Sequence, residues 1–274
     1  MTNGLPEPAA ILKGTNMPKR LSFQLYSARN HPPMSATLET LGKIGYKEVE
    51  GFGGYDSVAG YGGVFADVKN MRSMMDANGL TMPTSHCSLD MLEKDKKGVM
   101  RIAGTLGIRH LYCPYVMPDD RPKDSNGWRA FGRRLGKVAA TYRSEGITFG
   151  WHNHDFEFVA LPDGKTPHEN IFKAAPALEW EMDIAWVVRG GGDPVKLIKK
   201  YAQNITAVHV KDIAVKGQKS DEDGWEDVGH GTIDWKPIFA ALKKSRCLHF
   251  VCEHDKPSDA TRFATRSFEA AKNY

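Results

Sequence analysis

Eight short runs of β-forming residues alternate with segments of helical spacing along this chain, at intervals of about 30 residues. The runs are Leu21 to Tyr26, Lys47 to Glu50, Leu80 to His86, His110 to Pro114, Ile147 to Trp151, Leu178 to Asp183, Ile205 to Val210 and Leu248 to Glu253. Helices are expected after Ser35, with Leu38, Leu41 and Ile44 on one face, and over about 66–77, 91–106, 124–145 and 168–174. Further helices are expected from Asp193-Pro194 to about Tyr201, over 235–244, and from Pro257-Ser258 to the end of the chain. Strand and helix in strict alternation demand parallel strands with crossover helices. Eight such units in one chain of 274 residues predict an α/β fold, a single (β/α)8 barrel over residues 21–274. The competing fold is an open doubly wound sheet. It would usually carry a phosphate-binding glycine loop after its first strand, and Gln24-Leu25-Tyr26-Ser27 is not one.

Gly51, Gly53, Gly54, Gly60, Gly62 and Gly63 predict an open loop after the second strand, and Lys211 to Ile233 a long polar one. Residues 1–20, with Gly4, Pro6, Pro8, Gly14 and Pro18, read as a loosely ordered arm without the apolar stretch of a signal peptide. A leader removed earlier stays compatible with this reading.

Composition excludes some classes. The net charge of +4 is a small surplus of 37 Lys and Arg over 33 Asp and Glu, with no block dense enough for a nucleic-acid face. No apolar run reaches the roughly 18 residues of a membrane span. Cys87, Cys113, Cys247 and Cys252 form no C-x-x-C pair and read as buried thiols, which points to a reducing, cytoplasmic location.

In such a barrel, chemistry sits where the strands end at their carboxyl side. Those ends read Gln24, Glu50, His86, Tyr112, His152 with His154, Asp183, His209 with Lys211, and Glu253. Any one of them has a structural explanation as a loop hydrogen-bonder, but together they converge on one mouth. His152, Asp183, His209 and Glu253 each follow a mostly apolar strand and so lie at similar height. A carboxylate set among apolar neighbours, as in LEWEMDIAW, is costly unless paired or metal-bound. Two imidazoles and two carboxylates suit one divalent ion, with Mn²⁺ favoured among Mn²⁺, Co²⁺, Zn²⁺, Fe²⁺, Ni²⁺ and Mg²⁺. A hydrogen-bonded network without metal is the alternative.

These residues carry a resemblance. AVHVKD at 207–212, FVCEHD at 250–255, EMDIAW at 181–186 and VGHGTIDW at 228–235 resemble motifs of the xylose-isomerase-like barrels, which include sugar isomerases, epimerases and inosose-converting enzymes. The resemblance covers residues 21 to about 272. It implies a divalent metal held by Glu, Asp, His and Glu on the last four strands. Here the fifth strand departs. WHNHDFEF is similar to a subgroup with Tyr-His-Asn-His-Asp-Phe-Glu-Phe, so either His152 takes the glutamate's place or Glu157 folds back to do so.

The implied activity is a metal-dependent sugar isomerase or epimerase working through an enediolate on a ketose, cyclitol or keto-sugar. A lyase or dehydratase acting on a 3-keto-glycoside or inosose is the alternative. Glu253 is the expected base and ligand, with His154 or Glu157 opposite and Lys211 stabilising oxyanion charge. Gln24, Glu50, His86, Tyr112, Trp186 and His230 are the expected substrate contacts. An endonuclease-like enzyme and a non-catalytic sugar-binding barrel are the further alternatives. The expected partner is a small carbohydrate, with a homo-oligomer possible.

Overall fold

The structure, a computed structural model, describes residues 20–54 and 63–274. Eight parallel strands close into a barrel. They are β1 (Leu21–Gln24), β2 (Glu48–Gly53), β3 (Thr81–Cys87), β4 (His110–Cys113), β5 (Thr148–His152), β6 (Glu179–Asp183), β7 (Ile205–Val210) and β8 (His249–Cys252). Each pairs with its sequence neighbours, and β8 closes on β1 through Leu21–Phe250 to Phe23–Cys252. The strands are short and nearly all buried because helices cover the outer face and side chains fill the interior.

The helices show why the sequence packs this way. The longest, Ser125–Arg143, buries Trp128, Phe131, Leu135, Val138 and Tyr142 at three- and four-residue steps, one stripe against the barrel. Aspartates start several helices. Asp67, Asp95, Asp124 and Asp193 each accept a backbone N–H of the first turn.

Several boundaries differ from the sequence reading. β2 runs on to Gly53, so the first glycines of the expected loop are strand; Gly60 and Gly62 lie outside the described residues, as does the arm except Arg20. The helix expected over 91–106 is two, Leu89–Lys94 and Lys96–Leu106, because Asp95 breaks the first and caps the second. A helix not expected, Ile184–Arg189, follows β6 at once, and Asp183 is its cap. Inside the polar loop, Asp212–Ile213 pairs antiparallel with Trp225–Glu226. All four cysteines are free thiols. Among the described residues no helix is long and apolar enough to cross a membrane.

Candidate metal centre and cavity

Strand alternation sends every second side chain of β6 inward, so Glu179, Glu181 and Asp183 point into the barrel at three heights. Asp183 is at the mouth and fully buried. Its Oδ1 accepts from the backbone N–H of Trp186 at 2.8 Å, while its Oδ2 has no hydrogen-bond partner. Asn153, at the end of β5, holds the aspartate's backbone. Its Oδ1 accepts from Asp183 N at 3.0 Å and Trp180 Nε1 at 2.9 Å, and its Nδ2 donates to Asp183 O at 3.2 Å.

β7 brings His209 beside it. Nδ1 of His209 lies 3.8 Å from Asp183 Oδ2 and 2.8 Å from Glu253 Oε2. Ligand atoms around a tetrahedral ion at about 2.1 Å sit roughly 3.4 Å apart, so this trio has the right spacing. Its donor atoms lie within 4.8 Å of one another. The residues therefore fit a divalent cation: one buried carboxylate oxygen is orphaned, and an imidazole and a second carboxylate face it. Burial pushes Asp183 up to about 7, despite Lys211 and His209 nearby, and a cation would offset that cost.

A second set of donors lies alongside. His86, His152, Glu181 and His209 also fall within 4.8 Å of one another. Glu181 Oε2 is 2.6 Å from His86 Nε2 and 3.1 Å from His152 Nδ1. His209 Nε2 is 2.7 Å from Glu50 Oε1, which Gln24 Nε2 also reaches at 2.7 Å. His209 thus turns one nitrogen to the mouth and the other to buried carboxylates that orient it. Burial and the His209 charge hold His152 down at about 3, the neutral form a ligand needs. Burial disfavours charge on His86, yet Glu181 and Glu50 outweigh it and raise its pKa.

Lys211 is fully buried among carboxylates. Nζ is 2.6 Å from Asp255 Oδ2, 3.3 Å from Glu253 Oε2 and 3.8 Å from Asp183 Oδ2. Burial works against its charge, but Asp255, Glu253 and Asp183 prevail, so its pKa is raised. Glu253 is held well below the usual range by Lys211 and His209 although burial opposes it.

A cavity of about 460 Å³ opens above these groups, lined by His86, His152, His154, Glu253, Asp255 and Trp186 among others. The structure does not bring every expected residue there. Tyr112 is fully buried and its hydroxyl pairs with Thr206 Oγ1 at 2.9 Å, toward the base of the barrel. Gln24 and Glu50 lie below the cavity as support for His209. His230 is on an exposed loop, away from the lining. Glu157 is fully buried and turned back on its own segment. It accepts from Trp151 Nε1 at 3.2 Å and from the backbone N–H of His154 at 2.5 Å, and belongs to neither donor set. His154 lines the cavity with Nδ1 unpartnered, and burial keeps it neutral.

Glu181, Asn153 and Asp255 are site residues that the sequence reading missed. Glu181 was legible only as one of the alternating acids of E-W-E-M-D, without a sign that it and not Glu179 lies near the mouth. Asp255 was legible, two positions after Glu253. Asn153 was not, because its partners come from the neighbouring strand.

A closed (β/α)8 barrel with a His and carboxylate centre at the carboxyl ends of its strands defines a class of mouth-sited barrel proteins. Within that class the chain belongs to the xylose isomerase-like TIM barrel family, whose model matches residues 38–272. An inosose dehydratase from Clostridium botulinum (strain Alaska E43 / Type E3) is 26% identical over 135 residues, 43% of this chain and 43% of the relative. The chain thus matches less than half the length of that curated relative. Two solved structures share the fold. A sugar phosphate isomerase/epimerase from Parabacteroides distasonis ATCC 8503 superposes with TM-score 0.76, at 21% identity and 98% of each chain. The IolI protein, solved with a zinc atom, gives TM-score 0.72 at 14% identity, over 93% of this chain and 97% of that one.

Proposed function

We propose that this protein is a carbohydrate-active enzyme that removes the proton beside a carbonyl of a sugar or cyclitol and then expels a group one carbon further on. The observation that carries this reading is the orphaned Asp183 Oδ2, set with His209 and Glu253, the last of which lines the cavity. Asp183, His209 and Glu253 would hold a divalent cation, with His152 beside them in the place of the family's first glutamate. When bound, the cation would supply Lewis-acid stabilisation of negative charge developing on the substrate's oxygens.

The chain supplies the rest. Glu253, kept ionised by Lys211 and His209, accepts the proton from the carbon beside the carbonyl. The Lys211 ammonium offsets the charge that develops on oxygen. His86 faces the cavity from β3, with Glu181 and Glu50 favouring its cationic form. It gives its proton to the leaving oxygen as the C–O bond breaks and the C=C bond forms. Burial of Glu157 in its own cap removes it as a second proton-transferring carboxylate opposite Glu253, which favours elimination over proton return. The name of the inosose dehydratase relative supports the same outcome.

Isomerisation or epimerisation is the second reading. It shares the proton abstraction, Glu253 alone can take and return a proton, and the P. distasonis neighbour carries that name.

The test is to load the protein with Mn²⁺ or Co²⁺ and incubate ketoses, inososes and 3-keto-glycosides in D₂O. Deuterium should enter beside the carbonyl, and a conjugated enone should form. Glu253→Gln should slow exchange by about 10²–10⁴-fold. His86→Asn should keep exchange and lose elimination. No exchange on any of these substrates would overturn the proposal.

A further inference from the structure

The cavity is divided by chemistry. Its floor carries the His and carboxylate groups, and its rim is aromatic. Tyr26 and Phe52, just beyond β1 and at the end of β2, form one wall, with their rings edge to face at 5.4 Å and 89°. Tyr115, Phe156 and Trp186, beyond β4, β5 and β6, form the other. In a closed ring of eight strands, β1 and β2 stand across the mouth from β5 and β6. The walls therefore face each other over the floor.

The second wall is pre-organised. The Arg121 guanidinium lies 3.5 Å from the centre of the Phe156 ring, and its Nη2 donates to the Tyr115 hydroxyl at 2.7 Å. Its Nε donates to Val116 O at 3.1 Å. Tyr115 also packs edge to face on His154 at 4.9 Å. Despite this anchoring, Tyr115 remains 36% exposed and the adjacent Met117 60% exposed. An apolar rim joined to a polar floor suits a ligand that is itself divided.

Resting on the carbonyl-sugar reading above, we infer that the substrate is a glycoside whose leaving group is flat and apolar, such as an aryl group, seated between the two aromatic walls. A free monosaccharide carries hydroxyls around its whole edge and stacks only through the C–H patches of its ring faces, so it would leave much of the apolar rim uncovered. A cavity of about 460 Å³ lies in the range of drug-sized ligands, which leaves room for a second ring. The placement also fits the chemistry: a sugar with its carbonyl at the floor points a substituent one carbon away toward the rim.

The test uses unoxidised phenyl and methyl β-glucosides, which bind without reacting, on the metal-loaded full chain by ligand-observed NMR. The phenyl glycoside should bind at least tenfold tighter. Tyr115→Ala should shrink that preference to within about twofold. Met117→Ser, at an exposed position, should lower the preference two- to threefold without risk to the fold. Equal affinities in the parent, or a preference untouched by both substitutions, would overturn the inference. The two proposals fail separately. A phenyl preference without deuterium exchange on any carbonyl sugar upholds the walls and sinks the chemistry, and exchange without a phenyl preference does the reverse.

Discussion

The two ends of the barrel interior are built from the same residue types and behave differently. At the base, Glu48 Oε2 pairs with His249 Nδ1 at 3.1 Å, and Glu179 Oε2 with His110 Nδ1 at 3.1 Å and Thr206 Oγ1 at 3.0 Å. Thr148 and Tyr112 close that network through His110 and Thr206. At the mouth and just below it, Asp183 Oδ2, Glu181 Oε1, Glu50 Oε2 and His154 Nδ1 are buried without partners. A buried unpaired carboxylate oxygen costs stability, so the fold tolerates the mouth at the expense of what the base supplies. A buried His and Glu therefore do not mark a site by themselves; carboxylate oxygens left unpaired close to a cavity do.

Removing a mouth carboxylate should have the largest functional effect and little structural one. Asp183→Asn retains an oxygen for the Trp186 N–H but loses the anion. Metal affinity should fall by on the order of 10³-fold, while thermal stability of the metal-free protein should stay within about 1 kcal/mol of the parent or rise. Plasma emission spectrometry and calorimetry on the same samples check both. A large loss of stability would show that Asp183 is a structural group like those at the base.

The converse holds for Glu179→Ala. It takes one partner each from His110 Nδ1 and Thr206 Oγ1, which keep Thr148 and Tyr112, and leaves a small void; it should cost about 2–3 kcal/mol in urea unfolding, with metal content per chain unchanged. Loss of the metal in this variant would break the distinction between the two ends.

A smaller effect sharpens the comparison with a third region. His168 is fully buried with both ring nitrogens unpartnered, among Phe158, Phe172, Trp180 and Tyr201 at 4.2–5.2 Å between ring centres. Burial lowers its pKa to about 3. The folded state thus takes up no proton where the unfolded chain does. Its contribution is fully present above about pH 6.5 and is lost as pH falls toward 3, at about 1.4 kcal/mol per unit. His168→Phe should remove that loss, so at pH 5 the variant should gain about 2 kcal/mol on the parent relative to pH 7. Parallel stability curves for the two proteins would show that His168 is not buried as a neutral ring. No catalytic role is needed for it, which separates an orphan in an aromatic cage from orphans that converge on a cavity.

Much of this was legible along the chain. Eight β-runs with helical spacers defined the barrel, because strand and helix periodicity are local and the closed parallel sheet accommodates both. Asp183, His209 and Glu253 were readable because each ends an apolar strand, and ends of parallel strands meet at one face. The choice between His152 and Glu157 was not, since both are ionisable and five positions apart. The fold separates them by turning Glu157 into its own cap and leaving His152 beside Glu181. Nor could the sequence tell Glu179 from Glu181, which share a strand face. One meets paired groups at the base, and the other keeps an oxygen free near the mouth. Sequence by itself determined the barrel and the class of donor at the mouth. Only the tertiary structure decided which donors are satisfied, because their partners lie far along the chain, as Glu50 and His209 do at 159 positions apart. A hydrogen bond at such separation is set by how the barrel closes, and no local pattern encodes it.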